Sequence, residues 1–157
     1  VLARLPRGSG LVFRHYHLPS RERRARFNVL ARATRRFGHV MVLAGEARQA
    51  RAWKAHGAYG AADRLAQGPG VLRLVTAHDL RELAQAHRAR ADAVLISPVF
   101  ATASHPGGHT LGPVRFRLLA ARSRVPVIAL GGMTAHRALA FRLERWAAID
   151  GLTGGAR

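Results

Sequence analysis

The sequence predicts an α/β fold in which helices cover a parallel sheet, and three observations carry that expectation. Short apolar runs of strand length alternate with stretches of helical periodicity along the 157 residues, as a repeated βα unit requires. Several runs, Val-Met-Val-Leu at 40–43 and Ala-Val-Leu-Ile at 93–96 among them, are apolar throughout, the pattern of strands buried on both faces. These runs open into loops rich in glycine and polar residues, at the end where α/β proteins hold ligands. About seven strands can be counted, each followed by a helix except the last. A complete (β/α)8 TIM barrel usually needs about 200 residues or more. The expectation is therefore an α/β (β/α)8 TIM barrel without its first β-α unit, a single partial domain over 1–157 that runs from strand 2 to strand 8.

Taken in order, residues 1–5 read as a helical scrap stopped by Pro6 and Gly8, and 11–18 as a strand closed by Pro19. Ser20 is the expected N-cap of a helix that places Phe27, Leu30, Ala31, Thr34 and Phe37 on one face and ends at Gly38. A short buried strand at 39–44 precedes a helix over 47–56, anchored by Trp53 and capped by Gly57. A weak strand at 58–62 and a loop at 63–70 follow, then a clearer strand at 71–76. Asp79 and Glu82 have capping-box spacing and open a helix over 80–91, with Leu80, Leu83, Ala84 and His87 on its inward stripe. After the strand that begins at Ala93, Pro113 suits the first turn of a helix reaching Arg122. A strand at 125–130 breaks at Gly131-Gly132, Thr134 caps a helix running to about Trp146, and a short strand at 148–152 leads to Gly154-Gly155.

The bulk composition narrows the classes of function. A hydrophobic content of 48% is ample for a core. No run of about 18 uncharged apolar residues and no leader of the signal-peptide kind is present, so no membrane partner is expected. Cysteine is absent, which excludes disulfide and thiol chemistry and agrees with a cytoplasmic location. The formal charge of +18 raises the question of nucleic acid. Yet Lys54 is the sole lysine among the 26 basic residues, and the arginines spread along the chain. The densest group, Arg21, Arg23, Arg24 and Arg26, falls on an expected helix, where a solvated outer face explains it, so nucleic-acid binding is disfavoured.

The chemistry concentrates in the loop after the strand at Ala93, which carries Thr102, Ser104, His105 and His109. His78 stands at another strand-to-helix junction, close behind Thr76. Gly131-Gly132 and Gly154-Gly155 each follow a strand, where backbone N–H groups approach an anion closely; a tight turn explains a double glycine equally well.

With that layout, Ser97-Pro98-Val99-Phe100-Ala101-Thr102-Ala103-Ser104-His105 resembles the G-P-V-F-x-T-x-T-K of the thiamine-phosphate synthase family, which includes the TenI-type thiazole tautomerases. Val125-Pro126-Val127-Ile128-Ala129-Leu130-Gly131-Gly132-Met133-Thr134 is similar to that family's I-P-V-V-A-I-G-G-I-T, in matching order and spacing. The resemblance implies a (β/α)8 enzyme that joins an aminopyrimidine diphosphate to a thiazole phosphate, giving thiamine phosphate and diphosphate. It implies small-molecule phosphorylated heterocycles as partners and Mg²⁺ as cofactor. It assigns Arg14, His78, Thr102, Ser104 and His105 to catalysis, and Thr76, Gly131, Gly132, Gly154 and Gly155 to substrate binding.

Three positions depart from the family pattern. Tyr16 stands where a lysine belongs, His105 replaces another lysine, and Ala44-Gly45-Glu46 replaces an Asn-Asp pair. Glu46 and Asp63 are the carboxylates left for a metal, and ordinary solvated carboxylates explain them as well. Pro98 stands where the tautomerase branch has a histidine. Three readings follow: an enzyme of thiamine assembly, a catalytically impaired relative that binds thiazole phosphate or thiamine phosphate, and, on charge alone, a nucleic-acid module.

Overall fold

The computed structural model describes residues 1–102 and 107–149. Among these residues six strands alternate with six helices, and the strands neighbour one another in chain order, β1-β2-β3-β4-β5-β6. The chain divides into two compact units, Val1–Leu74 and Val75–Arg157.

The first unit holds a 3-10 turn at Leu2–Arg4, β1 (Gly10–Phe13), α1 (Ser20–Arg36), β2 (Val40–Ala44), α2 (Ala47–Ala52), β3 (Gly57–Gly60), α3 (Ala62–Leu65) and the start of β4 (Leu72–Ala77). β1 pairs parallel with β2, Val12 opposite Val42, and β2 pairs parallel with β3, Val42 opposite Gly57. Phe13, Phe27, Met41, Leu43 and Leu65 are its buried centre. Phe27 meets Phe13 edge-on at 5.5 Å and Trp53 at 5.1 Å between ring centres, so α1 is anchored by aromatic contact. Phe27, Ala31 and Thr34 are buried as the helical period requires, whereas Phe37, past the last turn, is exposed. Pro19, not Ser20, is the N-cap residue of α1.

Gly57 does not cap α2. It opens β3, where an added Cβ would lie 2.7 Å from the Leu72 carbonyl oxygen, so the approach of the next strand requires glycine. The expected loop after it contains the short helix α3.

The second unit holds the end of β4, then α4 (Leu80–Arg88), β5 (Ala93–Ile96), α5 (Gly112–Ala120), β6 (Val127–Ala129) and α6 (Ala135–Ala140). β5 pairs parallel with β6, Leu95 opposite Ile128, and all four β5 residues are buried. On α4 the buried residues are Leu83 and Ala86, while Leu80, its first residue, is 60% exposed, contrary to the expected stripe. A parallel bridge joins Ala129 to Trp146, residues earlier than the strand expected at 148–152. Residue 149 is the last described, so Gly154 and Gly155 lie outside the described residues.

Four helices end in the same way. After α1, α2, α4 and α6, the next residue but one is left-handed: Gly38 (φ 70°), Lys54 (56°), Arg90 (55°) and Arg142 (50°). In each case the following N–H reaches back five residues: His39 to Thr34, Ala55 to Ala50, Ala91 to Ala86 and Leu143 to Ala138. This is the Schellman arrangement, which favours glycine at the left-handed position. A cation occupies it in three of the four helices, where its charge suits the negative end of the helix dipole. These stops end α2, α4 and α6 well short of residues 56, 91 and 146.

Candidate functional site

In the second unit the carboxyl ends of β4, β5 and β6 assemble through named contacts. Asp79 caps α4, its Oδ1 accepting from the Glu82 N–H at 2.7 Å, and Glu82 Oε2 accepts the His78 N–H at 2.8 Å. The reciprocal bond thus falls one residue before the cap, and it fixes the backbone of His78 at the strand-to-helix junction. The exposed His78 ring turns toward β5: its Nδ1 lies 2.6 Å from the Ser97 carbonyl oxygen and 3.4 Å from Ser97 Oγ. A carbonyl oxygen only accepts, so Nδ1 donates in this contact, and in the neutral ring Nε2 is the acceptor. Ser97 is buried and its own N–H bonds to the Ala77 carbonyl, which ties β5 to β4 at this level.

The loop after β5 and the double glycine after β6 lie against each other. The N–H groups of Val99 and Phe100 donate to the carbonyls of Leu130 and Gly131. An added Cβ on Gly131 would meet Pro98 Cα at 2.6 Å, and one on Gly132 would collide with the Ala101 carbonyl oxygen. Both glycines have positive φ, 94° and 60°, so the pair is required by its turn and by this contact together. Arg137 donates to the Gly132 carbonyl and lays its guanidinium 4.6 Å from the centre of the Phe100 ring. Thr134 caps α6 as expected, accepting the Arg137 N–H at 3.2 Å. The glycine carbonyls are thus engaged, while among the described residues the N–H groups of Gly131 and Gly132 donate to no protein acceptor. Thr102 follows Ala101 directly, and the loop returns through Leu111 and Gly112, whose N–H groups bond to the carbonyls of Pro98 and Val99.

His78, Gly131 and Gly132 are therefore linked through the segment from Ser97 to Ala101, with half-buried Thr76 on β4 and Thr102 next along the loop. Ser104 and His105 lie outside the described residues. Ser97 and Arg137 gain roles that the sequence did not assign. Ser97 was visible within the matched motif, and Arg137 sits three residues after the expected cap, Thr134.

The remaining expected residues belong to the first unit. Arg14 directly follows β1, exposed, with its guanidinium carbon 5.8 Å from the centre of the Tyr16 ring. Tyr59 on β3 has its hydroxyl pKa raised above 10.0, by burial first and by Tyr16 less, with Arg14 opposing. His15, stacked on Phe13 at 4.5 Å, is held below 6.5 by burial, and then by His17, Arg26 and Arg23. Glu46 is exposed at the N-cap of α2 without a side-chain bond to the helix. Asp63 is exposed, its Oδ1 accepting the Arg64 N–H at 2.9 Å. No group of three or more His, Asp or Glu able to hold a metal exists among the described residues. Mg²⁺ usually takes only one or two carboxylates and keeps several waters, and Glu46 and Asp63 each expose one. No helix among the described residues is long and apolar enough to cross a membrane.

Parallel strands whose carboxyl-end loops present a hydroxyl, an oriented imidazole and unengaged backbone N–H groups define an α/β protein with a strand-tip site suited to a polar ligand. The chain belongs to the thiamine monophosphate synthase (TMP-TENI) family, whose model matches residues 2–152. A stretch of 59 residues is 36% identical to "Putative thiamine-phosphate synthase 2" of Aquifex aeolicus (strain VF5), covering 38% of this chain and 32% of that protein. The match thus spans about a third of that curated relative's length. The fold is similar to that of a thiamine phosphate pyrophosphorylase from Pyrococcus furiosus, with a TM-score of 0.80 and 21% identity over 94% of this chain and 75% of that one.

Proposed function

We propose that the chain acts as a thiamine-phosphate synthase, joining an aminopyrimidine diphosphate to a thiazole phosphate. The observation that carries this reading is the Gly131-Gly132 turn. Its carbonyls are engaged by Phe100 and Arg137, and its N–H groups are left to an anion beside Thr102. The reading also takes the six strands as consecutive strands of a (β/α)8 barrel, numbered from its second, and residues 1–157 as part of one such domain.

In the reaction, the bond from the pyrimidine methylene carbon to the diphosphate oxygen breaks, and the electron pair leaves with the diphosphate. The thiazole nitrogen then gives its lone pair to the resulting cation, forming the C–N bond. The chain's tasks are to stabilise the leaving group and to hold the two rings in line. We assign the thiazole phosphate to the N–H groups of Gly131 and Gly132, together with Gly154 and Gly155. Thr76, Thr102, Ser104 and His105 serve phosphate oxygens. His78 Nε2, an acceptor by virtue of the Ser97 carbonyl, suits the exocyclic amine of the aminopyrimidine. Arg14 is assigned to the diphosphate charge. Mg²⁺ is implied by the family resemblance and enters the test as an added component.

A second reading is favoured by the loss of the family's lysines and Asn-Asp pair, at Tyr16, His105 and Ala44-Gly45-Glu46: a catalytically impaired relative that binds thiazole phosphate or thiamine phosphate. Incubating the chain with both heterocycles, with and without Mg²⁺, separates the two. Thiamine phosphate and diphosphate formed above the level of a Thr76→Ala control support the synthase. Thiazole-phosphate binding without product supports the impaired relative, and neither product nor binding overturns both.

A further inference from the structure

Arg137, half-buried on α6, directs its side chain at main chain. Its Nη1 donates to the Gly132 carbonyl, and its guanidinium carbon lies 4.6 Å from the centre of the Phe100 ring. Phe100 in turn meets the Phe141 ring at 5.4 Å, so a second aromatic side chain backs the first. Among the described residues no carboxylate lies within ion-pair distance of Arg137, and the sequence has no Asp or Glu between Asp92 and Glu144. The guanidinium is held by a charge-assisted bond to a carbonyl and by a cation–π contact. Neither neutralises it.

The residue it grips is the one with most freedom to move. Gly131-Gly132 has no side chain to fix the direction of its peptide groups, and glycine rotates through conformations closed to other residues. A half-turn of the plane between Gly132 and Met133 would exchange the places of its N–H and its carbonyl oxygen, because the two point opposite ways in one planar unit. Such a flip puts an acceptor among the donors of the turn, and an anion is repelled. Both planes that meet at Gly132 are pinned, each from a different element. The Phe100 N–H, from the loop after β5, holds the Gly131 carbonyl at 3.1 Å, and Arg137, from α6, holds the Gly132 carbonyl. The Leu130 carbonyl before them takes the Val99 N–H at 2.9 Å. Of these three clamps only Arg137 is a side chain, so it alone can be removed by substitution with the main chain intact.

We infer that Arg137 is a positioning residue of the strand-tip site: it locks the Gly132–Met133 peptide, so that the turn keeps N–H groups and not carbonyls available to its ligand. The inference rests on the reading of this turn as the thiazole-phosphate site and deepens it, because it makes affinity depend on a residue that acts through another.

The test compares the full chain with Arg137→Met, which keeps an apolar stem over Phe100 but loses the donors and the charge. In the absence of ligand, ¹⁵N relaxation dispersion is expected to show new microsecond-to-millisecond exchange at Gly132 in the variant. Thiazole phosphate is expected to bind about tenfold more weakly. Its KM rises while kcat and the KM for the aminopyrimidine diphosphate stay unchanged, a split that a general loss of stability would not produce. Arg137→Lys returns the charge and one donor without the planar fork and is expected to restore part of the affinity. Arg115→Met, at an exposed position on α5, lowers the net charge equally and is expected to leave every readout as it was. Equal weakening by Arg115→Met would overturn the inference in favour of general charge attraction, and so would a Gly132 that stays free of exchange in Arg137→Met. Should Arg137→Met fail to fold, Arg137→Lys decides on the same two readouts: exchange at Gly132 with weaker binding supports the lock, and unaltered behaviour in both overturns it. Exchange at Gly132 in a chain that never binds thiazole phosphate would sink the synthase reading and leave the lock. Binding that survives Arg137→Met undiminished would sink the lock and leave the synthase.

Discussion

Gly131 lies against Pro98 so closely that a methyl group on its α-carbon would stand 2.6 Å from Pro98 Cα and 3.2 Å from the Val99 nitrogen. Backbone cannot swing away as a flexible side chain does. With φ at 94°, Gly131→Ala adds conformational strain to the collision. The expected loss is about 1–3 kcal/mol of stability, read as a lower urea midpoint with an unchanged slope. A neutral result would mean that the two loops do not touch.

The Ser97 carbonyl dictates which nitrogen of His78 carries the proton. Long-range ¹H–¹⁵N spectra of the neutral ring are expected to place it on Nδ1; a proton on Nε2 would contradict the geometry. His78→Ala is expected to weaken aminopyrimidine diphosphate binding about tenfold, the worth of one hydrogen bond of about 1.4 kcal/mol.

Asp79→Ala removes the side-chain cap of α4 and is expected to cost about 1 kcal/mol in chemical unfolding. Glu82→Ala leaves that cap in place but frees the His78 N–H. It should therefore lower activity more than its effect on stability accounts for, as paired kinetic and unfolding measurements would read.

Three helices stop at a cation in the left-handed conformation, where glycine is favoured. Lys54→Gly, Arg90→Gly and Arg142→Gly each relieve backbone strain and give up a favourable charge at the helix end. Strain of about 1–2 kcal/mol exceeds an exposed dipole contact of about 0.3–1 kcal/mol. A modest rise in melting temperature is expected, and a fall for all three would overturn the conformational assignment.

His15 is held below its ordinary 6.5, chiefly by burial. Below that value the unfolded chain takes up the proton before the folded chain does, so the unfolded state binds more protons and stability is lost as the pH is lowered. The loss begins near pH 6.5 and levels off once the folded ring also titrates. His15→Asn should flatten this part of the urea-midpoint profile between about pH 7.5 and about pH 5, a window that spans the transition.

Features written into a few neighbouring residues were legible in the chain. The unbroken apolar run of β5 announced a buried strand, and Asp79 and Thr134 announced caps, because each signal sits within one turn of what it controls. Gly57 stands where a helix cap belongs, yet its role is set by Leu72, fifteen positions on, through a carbonyl that no local pattern reveals. The early stops of α2, α4 and α6 were hidden because Lys54, Arg90 and Arg142 do what glycine ordinarily does. Of the candidate site, the residues Thr76, His78 and Gly131-Gly132 could be named from the motif. The Ser97 carbonyl that orients the imidazole is a backbone atom, identical in every residue type, and only the fold brings it within reach.

The two tryptophans fall one to each compact unit, Trp53 before residue 74 and Trp146 after it. Replacing either by phenylalanine leaves a single emitter that reports on its own half of the molecule. Fluorescence recorded during denaturation of the two variants would then tell whether the halves come apart in one event or in succession.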